Sequence, residues 1–190
     1  MKADILNLSE EFCGACNMYH IQPVTALQFY VSKSTIYSTL VKKDDAAFAL
    51  AKIVFQESCK LNDEKITMDG FKRISGIKYV RQIVKLINSK GSRQDKQTEY
   101  GAIIDNWYED IKSFLPSKII ETSGGFTISL TKDFCILCDL FQNTPGKVLQ
   151  HYVNYISITK YFNSTEENSF VYATALFLQY PTIIEQVNYS

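Results

Sequence analysis

The chain has no excess of charge, no long apolar run, few histidines and none of the short motifs that announce common chemistry. Twenty Lys and Arg balance twenty Asp and Glu over 190 residues, so the chain as a whole is not the basic protein that a general polyanion binder would be. The longest apolar stretches, residues 46–55 and 170–178, fall short of the ~20 residues that a membrane-crossing helix needs, and Lys52 interrupts the first. The opening Met1-Lys2-Ala3-Asp4-Ile5 puts an acid where a signal peptide requires an apolar core. Five cysteines are an odd number for a secreted disulfide framework. Together these features predict a cytoplasmic protein with reduced thiols and no membrane association. His-Glu-x-x-His, Gly-x-x-x-x-Gly-Lys, Gly-x-Gly-x-x-Gly and Gly-x-Ser-x-Gly do not occur, and His20 and His151 are the only histidines. No catalytic group is nominated, and no cofactor is expected.

What is present is the material for a core. Apolar residues make up 46% and charged residues 21% of the chain, close to the globular average, and the length suits one domain. The expectation is a single helical domain over residues 1–190: mainly α, a bundle of about seven helices with one small β-hairpin. Pro23 opens a helix that runs toward Val41 with an interruption near Ser34. Asp44 and Asp45 cap the next, apolar around most of its circumference and therefore central. Tyr100, Ile103, Ile104, Trp107, Tyr108, Ile111, Phe114 and Leu115 follow helical spacing until Pro116. A Gly124-Gly125 turn between β-branched runs predicts a hairpin over 119–130. Helices follow over 131–141, from Thr144-Pro145 through Phe162, and from Ser164 to a stop at Pro181. Between Asn62 and Asn88 the apolar phase does not fit one straight helix: Ile77, Val80, Ile83, Val84 and Ile87 share a face from which Phe71 and Ile74 diverge. A break at Ser75-Gly76 would resolve the conflict, giving a short helix, a turn and a second helix. Residues 89–97 read as a polar loop.

That segment is also where charge concentrates. Residues 70–98 carry eight cations against Asp95 alone, net +7. A helix, a glycine turn and a second helix bearing Lys78, Arg81 and Lys85 with Gln82 beside them could place cations and an amide against phosphates and base edges, as a helix-turn-helix does. The candidate nucleic-acid contacts are Lys72, Arg73, Lys78, Arg81, Gln82 and Lys85. Weighed against this, the first helix is short, the spacing after Gly76 is tight, and most basic helix faces are simply solvated.

Two Cys-x-x-Cys pairs, Cys13/Cys16 and Cys135/Cys138, have zinc-ligand spacing, and His20 adds a third possible ligand at the first. The second pair sits among Phe134, Ile136, Leu137 and Leu140, where cysteine acts as a small core residue, and the bland reading is preferred for both. A redox role would need an alternating strand-helix context that is missing. The other uneven property is aromatic content, twelve Tyr, twelve Phe and one Trp, much of it on C-terminal helices. His151, Tyr155, Ile158, Phe162, Phe170 and Phe177 give those helices more apolar surface than one neighbour covers, although a thick core accounts for most of it. The sequence therefore predicts a non-enzymatic protein-interaction module, an adaptor or scaffold that self-associates or binds a protein through these residues. The alternative is a nucleic-acid-binding regulatory protein using segment 67–88.

Overall fold

A computed structural model describes residues 5–40, 45–60, 70–166 and 168–188, with side chains described for these except 70–73 and 181–188. Its elements are β1 (Ile5–Leu6), α1 (Glu10–Met18), α2 (Pro23–Lys33), α3 (Ile36–Leu40), α4 (Ala46–Lys60), α5 (Gly70–Asn88), α6 (Arg93–Ile111), β2 (Ile119–Thr122), β3 (Thr127–Ser129), α7 (Lys132–Leu140), α8 (Pro145–Asn154), α9 (Ile158–Asn163) and α10 (Ser169–Asn188), with a 3-10 turn at Lys112–Phe114. The fold is mainly α with a small β element, as expected, although ten helices replace about seven among the described residues.

Local chemistry sets the helix starts. Ser9, Ser92, Thr131, Thr144 and Ser157 each accept a hydrogen bond on the side-chain oxygen from the backbone N–H three residues on, which satisfies one of the donors a first turn leaves open. Asp45 accepts likewise from the Ala47 N–H, two residues on; Asp44 lies outside the described residues. The centre is built from α2, α4, α8 and α10. Leu27, Tyr30 and Val31 meet Ala51, Val54 and Phe55, Leu149 and Tyr152, and Ala173, Leu176 and Phe177, all buried. Tyr30 stacks on Tyr152 with ring centroids 4.3 Å apart. The expected hairpin forms, with Ile120 opposite Ile128, and Gly125 takes the left-handed φ of 77° that its turn needs. β1 adds a parallel strand at the hairpin's edge, Ile5 opposite Glu121.

Three expectations are corrected. No break occurs at Ser75-Gly76: α5 is one helix from Gly70 to Asn88. The phase conflict vanishes because Ile74 is 72% exposed and need not share the buried face. Gly76 lies buried inside the helix, where an added Cβ would meet Trp107 and Leu140 at ordinary contact distances of 3.6 and 3.8 Å. Residues 67–69 lie outside the described residues. The helix expected from Thr144 through Phe162 instead ends at Asn154 and restarts at Ile158. Buried Ser157 causes this: its N–H donates to Thr174 Oγ1 on α10 at 3.0 Å, and its hydroxyl caps α9. Finally, α10 continues through Pro181 to Asn188. Proline forfeits one backbone bond but has a helical φ, and α10 is held along α4 by its packing.

Candidate functional site

The feature that stands apart is the α5–α6 hairpin. Tyr79, Ile83 and Leu86 of α5 are buried with Ile103, Ile104, Trp107 and Ile111 of α6. Tyr79 lies parallel to Trp107 at 5.5 Å, and its hydroxyl donates to Asp110 Oδ2 at 2.7 Å. Burial and this acceptor push the Tyr79 pKa up to about 12, so the phenol remains a donor at neutral pH.

The opposite side of α5 is uncovered from Ile74 onward. At 100° per residue Ile74, Ile77, Arg81 and Val84 fall within about 80° of one another on the far side from Tyr79, Ile83 and Leu86. The three aliphatic side chains of that strip are 72%, 46% and 42% exposed. Lys78 and Lys85 border the strip on one side, and half-buried Val80 and Ile87 join it to the packed face on the other. Lys78 Nζ lies 3.9 Å from Asp110 Oδ2 and 4.6 Å from the centre of the Tyr79 ring, so its charge is partly engaged. Arg81 and Lys85 make no ion pair among the described residues. A shallow groove of about 320 Å³ follows the α5–α6 seam past Gln82, Lys85, Glu99 and Ile103.

Lys78, Arg81, Gln82 and Lys85 are thus together and exposed, but on one continuous helix rather than on the second arm of a helix-turn-helix. The side chains of Lys72 and Arg73 lie outside the described ones. The six aromatic-region residues divide differently. Phe177 is fully buried, edge-on to Phe12 and Tyr19, and His151 is 7% exposed. Both belong to the interior, which corrects their assignment to an interface. Tyr155, Ile158 and Phe170 are half-buried, and only Phe162, at 70%, stands free. The break at residues 155–157 removes the single helical stripe that linked them. His151, Tyr155 and Phe170 instead form a ladder of rings 4.5 and 4.8 Å apart, ending under Lys160 Nζ at 4.0 Å from the Phe170 centre. Among the described residues neither His151 ring nitrogen has a hydrogen-bond partner, nor does Glu57 Oε2. Burial holds the His151 pKa below its usual value, and Glu57 pulls weakly the other way.

The cysteines sit as packing residues. Cys16, Cys135 and Cys138 are buried and Cys13 is half-buried, all as free thiols. Burial, with Cys13 adding to it, pushes Cys16 up to about 12, and burial pushes Cys135 up to about 11. Such thiols are protonated and poor ligands or nucleophiles at neutral pH. His20 is exposed in a left-handed turn after α1. Among the described residues no three His, Cys, Asp or Glu side chains are grouped to hold a metal ion, and no helix is long and apolar enough to cross a membrane. No protein-family model, curated protein or solved structure matches the chain.

Sequence phase places Ile77 and Val84 on the core side of α5, whereas the structure leaves both exposed. The apolar sector of α5 is wider than one antiparallel neighbour can cover.

Proposed function

We propose that this protein is a non-enzymatic adaptor whose α5 face docks an acidic amphipathic helix from a protein partner. The observation that carries this reading is the strip of Ile74, Ile77 and Val84, exposed on a helix whose opposite side alone is packed. Aliphatic side chains that share one exposed helix face offer the apolar surface against which an amphipathic partner helix packs. Their neighbours choose the partner's charge. With Lys78, Arg81 and Lys85 beside the strip, a second copy docked face to face would bring like charges together, whereas Asp and Glu on a partner helix would be attracted. The free protein is therefore monomeric through this face. Its buried, unpaired thiols suit the reducing cytoplasm.

Selection from a displayed library of helical peptides tests the reading, with Ile77→Asp protein as the counter-selection target. Enriched peptides are expected to combine an apolar stripe with flanking Asp or Glu and to bind Ile77→Asp at least about tenfold more weakly. Equal recovery on both proteins would sink the proposal. A second reading draws on Arg81 and Lys85, which are exposed and unpaired: contact with nucleic-acid phosphates. A labelled random duplex titrated at two salt concentrations separates the two. Loss of steeply salt-dependent binding in a Lys78, Arg81 and Lys85 to Glu triple variant, with Ile77→Asp unchanged, would favour nucleic acid.

A further inference from the structure

A second concavity, of about 690 Å³, lies between the α2–α3–α4 corner and the start of α6. Its size is that of a small-molecule site, ~300–1,000 Å³. Tyr37 and Tyr100 supply aromatic wall, Phe48 lies beside them with Lys33 Nζ 4.4 Å from its ring centre, Arg93 and Lys96 supply charge, and Ser32, Thr35 and Gln97 supply uncharged polar groups.

The aromatic wall is fixed from behind. The Tyr37 and Tyr100 rings meet edge to face at 5.4 Å. The Tyr100 hydroxyl accepts from the Tyr37 N–H at 3.1 Å and donates to Asp133 Oδ2 at 2.6 Å. The other Asp133 oxygen accepts from the Ile36 N–H at 2.9 Å. One buried carboxylate therefore ties α3, α6 and α7 together beneath the cleft and orients both tyrosines, which is more fastening than a solvent-facing wall requires. The charge is held in place too. Lys96, which lines the cleft, is tethered through Nζ to the Ile87 carbonyl at 3.0 Å. Arg93 makes no ion pair among the described residues. Among the described residues that line the cleft Asp45 is the one acid, with Lys33 Nζ at 3.9 Å, so the balance of the described lining is positive.

Fixed aromatic faces beside a net positive rim suit a planar ring that carries an anionic group: the ring gains contact on the aromatic wall, and the anion gains charge-assisted hydrogen bonds from the guanidinium and ammonium. We propose that this cleft is a binding site for a mononucleotide-class ligand, its base against Tyr37 and Tyr100 and its phosphate toward Arg93 and Lys96. Ser32, Thr35 and Gln97 are placed to meet the polar edges of the base or sugar. The site is separate from the α5 strip and stands or falls without it.

The test is titration of the full chain with adenosine 5′-monophosphate, adenosine and ribose 5-phosphate, followed by isothermal calorimetry and by ligand-observed NMR. Saturable binding of the monophosphate is expected, with adenosine and ribose 5-phosphate each weaker by at least about tenfold, because each lacks one half of the recognition. Arg93→Glu and Tyr37→Ala are each expected to weaken the monophosphate by about tenfold or more. Arg93 is exposed at the first turn of α6, where a carboxylate suits the helix end, so this variant keeps its fold and thermal midpoint even if Tyr37→Ala does not. Absence of saturable monophosphate binding, an unchanged affinity in Arg93→Glu, or ribose 5-phosphate binding as tightly as the nucleotide would each overturn the proposal. So would binding confined to an oligonucleotide, with no response to the mononucleotide.

Discussion

The four-helix centre and the α5–α6 hairpin both contain aliphatic and aromatic side chains and cover them differently. In the centre, α2, α4, α8 and α10 surround one another, and Leu27, Tyr30, Val54, Phe55, Tyr152 and Phe177 lose nearly all contact with water. In the hairpin each helix has one buried face, and α5 leaves Ile74, Ile77 and Val84 outside. Apolar content alone therefore does not mark the core: an isoleucine belongs to the fold when two elements flank it and is free for a partner when one does.

Substitution at matched sites in the two regions should expose the largest difference. Phe177→Ala removes a ring packed between Phe12 and Tyr19 and is expected to cost ~3–5 kcal/mol through lost burial and a cavity. Ile77→Ala in the hairpin is expected to change stability by less than about 0.5 kcal/mol. Urea titrations at equal protein concentration measure both. A comparable loss at the two positions would mean that the α5 strip is covered within the folded chain and would remove it as a docking face.

The joint between the regions is expected to respond to pH. Asp133, at the start of α7, holds Ile36 of α3 and Tyr100 of α6. Burial pushes its pKa up to about 6, against the two hydrogen bonds that lower it. An acid with a folded pKa above its unfolded value is bound more tightly to its proton in the native state, so its contribution is full below about pH 4, falls as pH rises toward 6, and is flat beyond. A shift of this size corresponds to roughly 3 kcal/mol. His151 acts in the opposite sense, since its depressed pKa makes stability fall as pH drops below its ordinary value of about 6.5. Unfolding free energies of wild type and Asp133→Asn from pH 4 to 7 isolate the carboxylate: the gap between the two proteins should change across that window and stay constant above it. A constant gap throughout would mean that Asp133 titrates normally.

The centre was readable from sequence because its helices announce themselves twice, by apolar period and by caps. Thr131, Thr144, Pro23 and Pro145 mark starts that the structure keeps. What escaped was set by single long-range contacts. Ser157 looks like any helix serine until Thr174 takes its N–H. β1 is two residues long and exists through its pairing with β2. The first turns of α6, from Arg93 to Gln97, are exposed on nearly every side, so no period could reveal them. Helix α1 has a legible cap in Ser9 followed by Glu10 and Glu11, but its Cys-x-x-Cys has the spacing of a ligand pair and masks a buried helical face. The Tyr37–Tyr100–Asp133 arrangement joins residues 96 positions apart, and none of the three is unusual where it stands.

Gly76 offers a small effect and a clear choice of sign. If the chain turned at Ser75-Gly76, as the apolar phase suggests, a methyl there would oppose the turn and Gly76→Ala would destabilise. Inside a continuous α5 the same substitution reduces the backbone entropy of the unfolded state and improves helix propensity, by about 0.5–1 kcal/mol. Its new Cβ would contact Trp107 and Leu140 at 3.6 and 3.8 Å without pressing on either, so packing adds no penalty to reverse the sign. Gly76→Ala should therefore raise the thermal midpoint by a few degrees. A lowered midpoint would restore the two-helix reading of this segment and with it the helix-turn-helix geometry for Lys78, Arg81 and Lys85, whereas a raised one leaves those cations on a straight helix beside an exposed aliphatic strip.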